Sequence, residues 1–294
     1  MNGLMVRWMA VAGVLLGPVV GSAQVSCTTE GLNAAADLYV AAQGQGLVRP
    51  VRATPAQGAP YRLELAGLPV AMRMSYVENF ETVLQTPRVI EKALKIDRHL
   101  SLLDRKKCET FTEALVADQA GPYALGARMR VTNEMVSEME TVWSAPGYAG
   151  FDIDAYLKNS SAEDWGPIAL GERDSRATLE AVANAYLDAL VAGKAAVMPW
   201  GLPCARAAAD GSCQVGVPAG AVNIANRHSV VDETLGAVAV LDTFGADPGS
   251  GRIRAADVHV FRVQYGKVRY VHAVTHWADG GRALAAATPT PGRR

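Results

Sequence analysis

Apolar and polar positions alternate most regularly near the end of the chain, from Asp257 to Trp277. Two β-rich runs flank Tyr265-Gly266, a glycine-containing pair typical of a two-residue hairpin turn. Side chains alternate between the two faces of a strand, so residues that pair across the hairpin share a face. Val274 and His276 are predicted to lie on the same face. The pairing predicts three cross-strand contacts on one face: Val263 with Val268, Phe261 with Tyr270, and His259 with His272. Asp257 is predicted to point to the opposite face.

Elsewhere the hydrophobic period changes to that of helices. Helices are predicted at Gly31–Gln43, at Ser75–Gln85 and at Ala177–Val191, where one face is apolar. Strand-like patterns fill the remaining apolar segments, with a turn signal at Asn133-Glu134. These segments are Leu100–Ala117, Tyr123–Val131, Met135–Trp143 and Val230–Phe244.

The pattern occurs twice in the same order, which indicates a duplicated unit. Three segments of the first half match segments of the second half. The matches are Ala35–Val40 with Val182–Leu187, Leu102–Asp104 with Val230–Asp232, and Arg130–Val136 with Arg262–Val268. We therefore predict an α+β fold of two tandem units, at 27–150 and 165–278, joined by a linker at 151–164. Residues 279–294 are low in complexity and are predicted to be a disordered tail.

The N-terminus has the features of a signal peptide. Arg7 precedes the apolar run Trp8–Val20, and Gly21-Ser-Ala23 is a small-x-small cleavage site, so residues 1–23 are predicted to be removed. The mature protein is then expected to be exported, to the periplasm or the exterior, with no membrane span. In that compartment, the four cysteines favour two disulfides. Three pairings are possible, and the preferred one, which keeps each bridge within one unit, is Cys27–Cys108 with Cys204–Cys213.

Net charge and the absence of known motifs exclude several classes of function. The chain has 294 residues and a net charge of −1, so no overall field favours nucleic acid or an anionic membrane. The nucleotide-binding glycine motifs, the GxSxG elbow, the HExxH motif and closely spaced metal-ligand cysteines are all absent from the sequence. We therefore expect no cofactor and no metal, and a small molecule as the partner.

His259 and His272 are the best candidates for chemistry, because imidazole transfers protons near neutral pH. Asp232 lies near the start of a predicted strand. Its carboxylate is a candidate to orient a histidine and to act as the base of a dyad. The alternatives are two histidines hydrogen-bonded within the sheet or on an exposed polar face, and an Asp232 that caps a turn or pairs with Arg227. The first unit has Ala127, Glu138 and Glu140 where the second has His259, Tyr270 and His272, which places the predicted site in the second unit.

Further residues are candidates to hold the substrate. Trp200 and Arg206 lie in the segment predicted to form a bridged loop, which could cover a pocket. The alternative for Trp200 is a core position beneath that loop. The full substrate-binding set predicted is Trp200, Arg206, Arg227, Phe261 and Tyr270.

Several motifs together resemble a SnoaL-like family known mainly from secreted fungal proteins, domain of unknown function 8021. They are Ala36–Gln43, Pro199–Arg206, Val230–Glu233, His259–Val263 and Lys267–His272. The resemblance implies two NTF2-like (SnoaL-like) cones, in which helices cover a curved antiparallel sheet. It implies a secreted setting and brings no settled activity.

Two functional hypotheses follow. The first is a cofactor-independent isomerase, dehydratase, lyase or hydrolase that uses histidine acid–base chemistry on a small apolar or aromatic substrate. The second is a small-molecule binding module without turnover. Either would be a monomer or a homodimer.

Overall fold

The structure is a computed structural model and describes residues 26–52, 61–65, 68–78, 81–82, 92–117, 121–148, 151–192, 199–206, 223–245 and 255–277. The predicted signal peptide and the predicted tail lie outside these residues. The elements of the first half are α1 (Thr29–Gly44), β1 (Val48–Arg52), β2 (Tyr61–Leu65), β3 (Val70–Glu78), β4 (Glu81–Thr82), β5 (Arg98–Asp104), β6 (Glu109–Val116), β7 (Tyr123–Thr132) and β8 (Met135–Ser144). Those of the second half are α2 (Ile153–Ser160), α3 (Arg176–Val191), β9 (Trp200–Arg206), β10 (Ile224–Asp232), β11 (Ala237–Phe244), β12 (Ala255–Gln264) and β13 (Lys267–Trp277).

The fold is α+β, and its two main sheets have matching topology. The first has the strand order β4-β3-β8-β7-β6-β5, and the second has the order β10-β11-β12-β13-β9. Strands β5–β8 and β10–β13 each form an antiparallel meander, while β3 and β9 pair in parallel with β8 and β13. The sheets are therefore mixed rather than purely antiparallel as predicted. This matching order is the structural counterpart of the sequence repeat.

Each long helix covers the outer face of its own sheet. Thr28 caps the N-terminus of α1, because its hydroxyl accepts a hydrogen bond from the Gly31 N–H, and Ser175 caps α3 in the same way. Tyr39 of α1 and Tyr186 of α3 are both fully buried against the sheets. The helix predicted at Ser75–Gln85 is wrong over its described part, because Ser75 lies in strand β3 beside β8.

The inner faces of the two sheets pack on each other and form a third core. Val258 and Val260 of the second sheet meet Phe111 of the first within this core. Gly126 permits the close approach, because a Cβ there would lie 2.9 Å from a Val258 methyl carbon. The segment predicted as a linker contains α2, and its Tyr156 is buried in the same core. The layers therefore run from α1 through the two sheets to α3.

Two aspartates join the units by reciprocal hydrogen bonds. Asp104 accepts from the Val231 N–H at 3.0 Å, and Asp232 accepts from the Leu103 N–H at 3.0 Å. Each also accepts from two backbone N–H groups in the turn that follows it. Arg176 at the start of α3 adds two short hydrogen bonds to Asp104. The matching places of Asp104 and Asp232 in the repeat thus have a structural explanation.

We expect Asp232→Ala to reduce the free energy of unfolding by about 1–3 kcal/mol, because it leaves buried backbone donors without an acceptor. Urea unfolding followed by circular dichroism would measure the loss. The control is Asp37→Ala, which removes an exposed aspartate on α1 and should change little. An unchanged free energy of unfolding for Asp232→Ala would show that the hydrogen bonds of Asp232 do not stabilise the contact between the units.

Candidate functional site

The hairpin has the predicted turn but a different register. Tyr265 and Gly266 have φ values of 56° and 62°, as a two-residue hairpin turn requires. Val263 pairs with Val268 as predicted, but a bulge follows, and Arg262 then pairs with Tyr270. His272 consequently lies opposite Val260, and His259 lies opposite Ala273.

The bulge separates the two histidines. One extra residue in a strand moves every later side chain to the other face relative to its partner strand. His259 therefore faces helix α3, and His272 faces the first sheet. The predicted pair of His259 and His272 on one face is wrong, and so is the predicted pairing of Phe261 with Tyr270.

Two aspartates accompany His259 beneath α3. His259 Nδ1 lies 3.0 Å from Asp257 Oδ2 and 3.8 Å from Asp242 Oδ2. Asp257 shares the face of His259 because the two are two residues apart on one strand, so its predicted opposite orientation is wrong. Asp242 lies on β11 directly opposite Asp257. We call these three residues the α3-side triad.

The triad is buried, and several of its polar atoms have no hydrogen-bond partner. Asp242, Asp257 and His259 are 0%, 1% and 3% exposed. Both carboxylate oxygens of Asp242 and Nδ1 of His259 are buried without a partner, whereas Asp257 Oδ1 accepts a hydrogen bond from Thr275 at 2.7 Å. Such atoms are rare in folded proteins, because a buried polar atom without a partner is costly.

The charges of the triad act on each other. Burial would lower the pKa of His259, but the charges of Asp257 and Asp242 outweigh it and raise the pKa to about 9. Burial raises the pKa of Asp242 to about 7, against the opposing effect of His259 and with added repulsion from Asp257. Because each group shifts the pKa of the other, His259 and Asp242 titrate together rather than independently.

Aromatic rings surround the triad. Phe261 stacks on His259 with ring centroids 5.9 Å apart, and Tyr186 lies 5.1 Å from Phe261. Trp200 packs against Tyr186 at 5.6 Å and belongs to strand β9. The part of the predicted bridged loop up to Arg206 is therefore a strand, and Trp200 is half-buried against the core beneath α3, which favours its alternative.

Two predictions for this segment remain open. Cys204 is disulfide-bonded, as predicted. The side chain of Arg206 and the whole of Cys213 lie outside the described residues, so the contacts of Arg206 and the choice of Cys213 as the partner of Cys204 stay predictions. The other predicted bridge is present, since Cys27 and Cys108 form a disulfide.

His272 lies in a separate group between the sheets. Its Nδ1 is 2.7 Å from Glu113 Oε2, and its Nε2 is 2.6 Å from Glu163 Oε2. Tyr156 donates to Glu113 at 2.6 Å, and Trp165 donates to Glu163 at 2.9 Å. The group joins the second sheet, the first sheet and the segment between the units.

His272 is held as a cation by these carboxylates. Burial would lower its pKa, but Glu113 and Glu163 raise it to about 9. In return, although burial would raise the pKa of Glu113, His272 and Tyr156 hold it below its ordinary value. Because both ring nitrogens have acceptors, we interpret His272 as a structural link between the units.

Asp232, Arg227 and Tyr270 have described partners other than the two histidines, although the charge of Arg227 also acts to lower the pKa of Asp242. The hydrogen bonds described for Asp232 go to backbone N–H groups, which supports its turn-capping alternative over a role in a dyad. Arg227 pairs with Asp188 and Asn184 on α3. Tyr270 packs on Trp165 with ring centroids 5.8 Å apart and accepts a hydrogen bond from the Asp164 N–H, so it belongs to the His272 side.

The first unit provides an internal comparison for the triad. Matching registers align Asp242, Asp257 and His259 with Ala114, Leu125 and Ala127. All three first-unit residues are apolar and at most 1% exposed. The scaffold therefore folds with an apolar core at these positions, and the charged triad is specific to the second unit.

Sequence reasoning missed Asp242, Glu113 and Glu163 and gave Asp257 the wrong face. A signal for Asp242 was present, because it ends the apolar run Ala237–Leu241, in which a charge is unexpected. Within the described residues, the triad is also the one group whose ligand atoms, all within 4.8 Å of one another, are placed to hold a metal ion.

Residues 172–275 match the model of a protein family described as a domain of unknown function, DUF8021. The match runs from just before α3 almost to the end of β13, so it includes the triad and His272. The curated proteins provide no match to the chain. Among the described residues, no helix combines the length and apolar character needed to cross a membrane.

We expect His272→Gln to lose about 3–5 kcal/mol of stability near pH 6, because two buried carboxylates lose their counter-charge. Folding raises the pKa of His272 from 6.5 to about 9, so its contribution is full below pH 6.5 and disappears as the pH rises through about 9. The deficit relative to the wild type should therefore shrink in that window.

Urea unfolding at a series of pH values tests this expectation. The control is His99→Gln, which removes an exposed histidine. Combining His272→Gln with Glu113→Gln should recover part of the loss. A deficit that is the same at pH 6 and above pH 9 would show that His272 does not act as a cation.

Replacing the triad by its first-unit counterparts, Asp242→Ala with Asp257→Leu and His259→Ala, should stabilise the protein by about 1–4 kcal/mol. Apolar residues remove the desolvation of buried charges at positions where the scaffold already accepts them. Thermal unfolding in a chelator would compare the variant with the wild type. A strongly destabilised variant would mean that the second unit needs the triad to fold.

Proposed function

We propose that the protein is an exported enzyme of the SnoaL-like (NTF2-like) kind, whose second unit transforms a small apolar or aromatic molecule at the α3-side triad. The duplicated layout of a long helix over a meander, together with the family match in the second unit, supports this fold. The Cys27–Cys108 disulfide fits an oxidising compartment.

One observation carries the proposal: three ionisable side chains are buried where the sister unit has Ala114, Leu125 and Ala127. Burying such groups opposes folding, and the scaffold does not require them. Ionisable groups in unusual environments cluster at functional sites. Chemistry is therefore the best reason for keeping the triad.

The residues around the triad suggest the class of substrate and reaction. Phe261, Tyr186 and Trp200 present aromatic surface near His259. Imidazole and carboxylate groups serve isomerisation, dehydration, lyase-type cleavage and hydrolysis. In this proposal, His259 with Asp242 and Asp257 replaces the predicted group of His259, His272 and Asp232.

The second candidate is a small-molecule binding module without turnover. It is favoured by the aromatic rings of Phe261, Tyr186 and Trp200, which can contact a ligand whether or not the triad transfers a proton. Both candidates place the ligand in the second unit, so turnover distinguishes them.

Hydrogen–deuterium exchange into small cyclic and aromatic ketones, followed by proton NMR, tests proton transfer directly. The mature protein should accelerate exchange, and His259→Gln or Asp242→Asn should slow it by about 100-fold or more. The control, His99→Gln, should exchange like the wild type.

Ligand line broadening without exchange would favour the binding module. Neither binding nor exchange across the panel would contradict the proposed function. Exchange that survives both triad variants would place the chemistry elsewhere in the protein.

A further inference from the structure

We propose that Asp242, Asp257 and His259 bind one divalent transition-metal ion, with Zn²⁺ as the best match. The inference rests on the proposed function and names its cofactor: with the three side chains as ligands, a water or substrate bound to the ion, rather than a free His259, would undergo the proton transfer. It differs from the expectation, drawn from the sequence, that the protein has no cofactor and no metal.

The spacing of the triad suits three ligands of one ion. The atoms come from two adjacent strands, so the sheet itself fixes their separation. His259 Nδ1 lies 3.0 Å from Asp257 Oδ2 and 3.8 Å from Asp242 Oδ2. With metal–ligand bonds of about 2.1 Å, the edge of a tetrahedron is about 3.4 Å, which lies between these distances.

The buried atoms without hydrogen-bond partners are of the kinds that bind a Lewis acid. Both oxygens of Asp242 and Nδ1 of His259 are buried without a partner, in side chains at least 96% buried. Buried charges in proteins are normally paired or bound to metals. A divalent ion would bind one oxygen of each carboxylate and the imidazole lone pair together, and two carboxylates would balance its charge.

The neighbours of the triad support the ligand atoms. Thr275 donates to Asp257 Oδ1 at 2.7 Å, which leaves Oδ2 free to face the ion. Phe261 stacks on the His259 ring with an angle of 13° between the planes and restricts its rotation. Outer contacts of this kind orient the ligands in metal sites.

The ligand types decide which ion is expected. Calcium and magnesium prefer sets made entirely of oxygen, whereas imidazole nitrogen favours zinc and its first-row neighbours. Three protein ligands leave a fourth position open, which is the arrangement of catalytic rather than structural zinc sites. The ion would supply Lewis-acid charge stabilisation in the proposed reaction.

The competing explanation is that a protonated His259 alone neutralises the two aspartates. Its geometry is weaker, because Nδ1 lies 3.0 Å from Asp257 Oδ2 but out of line for a good hydrogen bond, and 3.8 Å from Asp242 Oδ2. The group around His272 shows how the same chain pairs a buried imidazolium, with an acceptor within 2.7 Å of each ring nitrogen.

The test uses the full mature chain, unfolded in urea and chelator with its disulfides intact, and refolded with or without Zn²⁺. Elemental analysis and calorimetry give stoichiometry and affinity, and Co²⁺ in place of Zn²⁺ reports ligand geometry by visible absorption. The wild type should bind one ion per chain.

Four variants separate this site from any other. Asp242→Asn and His259→Gln should weaken binding by more than about 100-fold, and Thr275→Val by about 10-fold. The three-fold change to Ala, Leu and Ala should bind no ion at the site and still fold, since the first unit folds with these residues. The control is His99→Gln, which should bind like the wild type.

Two results would overturn the inference. Folded wild type that binds neither Zn²⁺ nor Co²⁺ would establish His259 as a cation paired with the aspartates. Binding that survives the three-fold change would reveal an adventitious ion only. Metal binding without turnover would support the metal site and contradict the proposed enzyme. Exchange activity in metal-free protein would support the enzyme and contradict a role for the metal in it.

Discussion

One extra residue in strand β13 decides which side chains meet in the second unit. The bulge lies opposite the step from Arg262 to Val263, and it sends His259 to the helix side and His272 to the inter-sheet side. The first unit has the same bulge at Arg130 and Val131. The bulge therefore belongs to the scaffold, and the residues placed on it differ between the units.

The two buried histidines differ in how completely hydrogen bonds satisfy the polar atoms around them. Around His272, hydrogen bonds satisfy both ring nitrogens, and a single buried oxygen of Glu163 lacks a partner. Around His259, three atoms of two side chains lack partners. A satisfied network stabilises and specifies the contact between units, whereas an unsatisfied one opposes folding and needs a ligand or a reaction to explain it.

Local signals in the sequence predicted much of the fold. The positions of α1 and α3, the turns at Asn133-Glu134 and Tyr265-Gly266, and the repeat all rest on capping, glycine conformation and hydrophobic period. Cys27–Cys108 was also predicted. The segment from Ser75 was misassigned, because its pairing with β8 is non-local and a short apolar pattern does not distinguish a strand from a helix.

The site was harder to predict because its assembly depends on register. Pairing by simple counting from the turn placed His259 and His272 together, and a slip of one residue reverses that result. Asp242 comes from a neighbouring strand, and Glu113 comes from the other unit. Their proximity follows from strand order and sheet packing, which the sequence pattern does not contain.

The ring nitrogen signals of His259 and His272, followed by NMR as pH and Zn²⁺ are varied, test the central claim that the two histidines have different roles. We expect His272 to stay protonated on both nitrogens up to a pH of about 9 and its signals to be unchanged by Zn²⁺. The Nδ1 signal of His259 should shift when Zn²⁺ is bound. If the two histidines respond alike to pH and to Zn²⁺, they do not have the separate structural and metal-binding roles assigned to them.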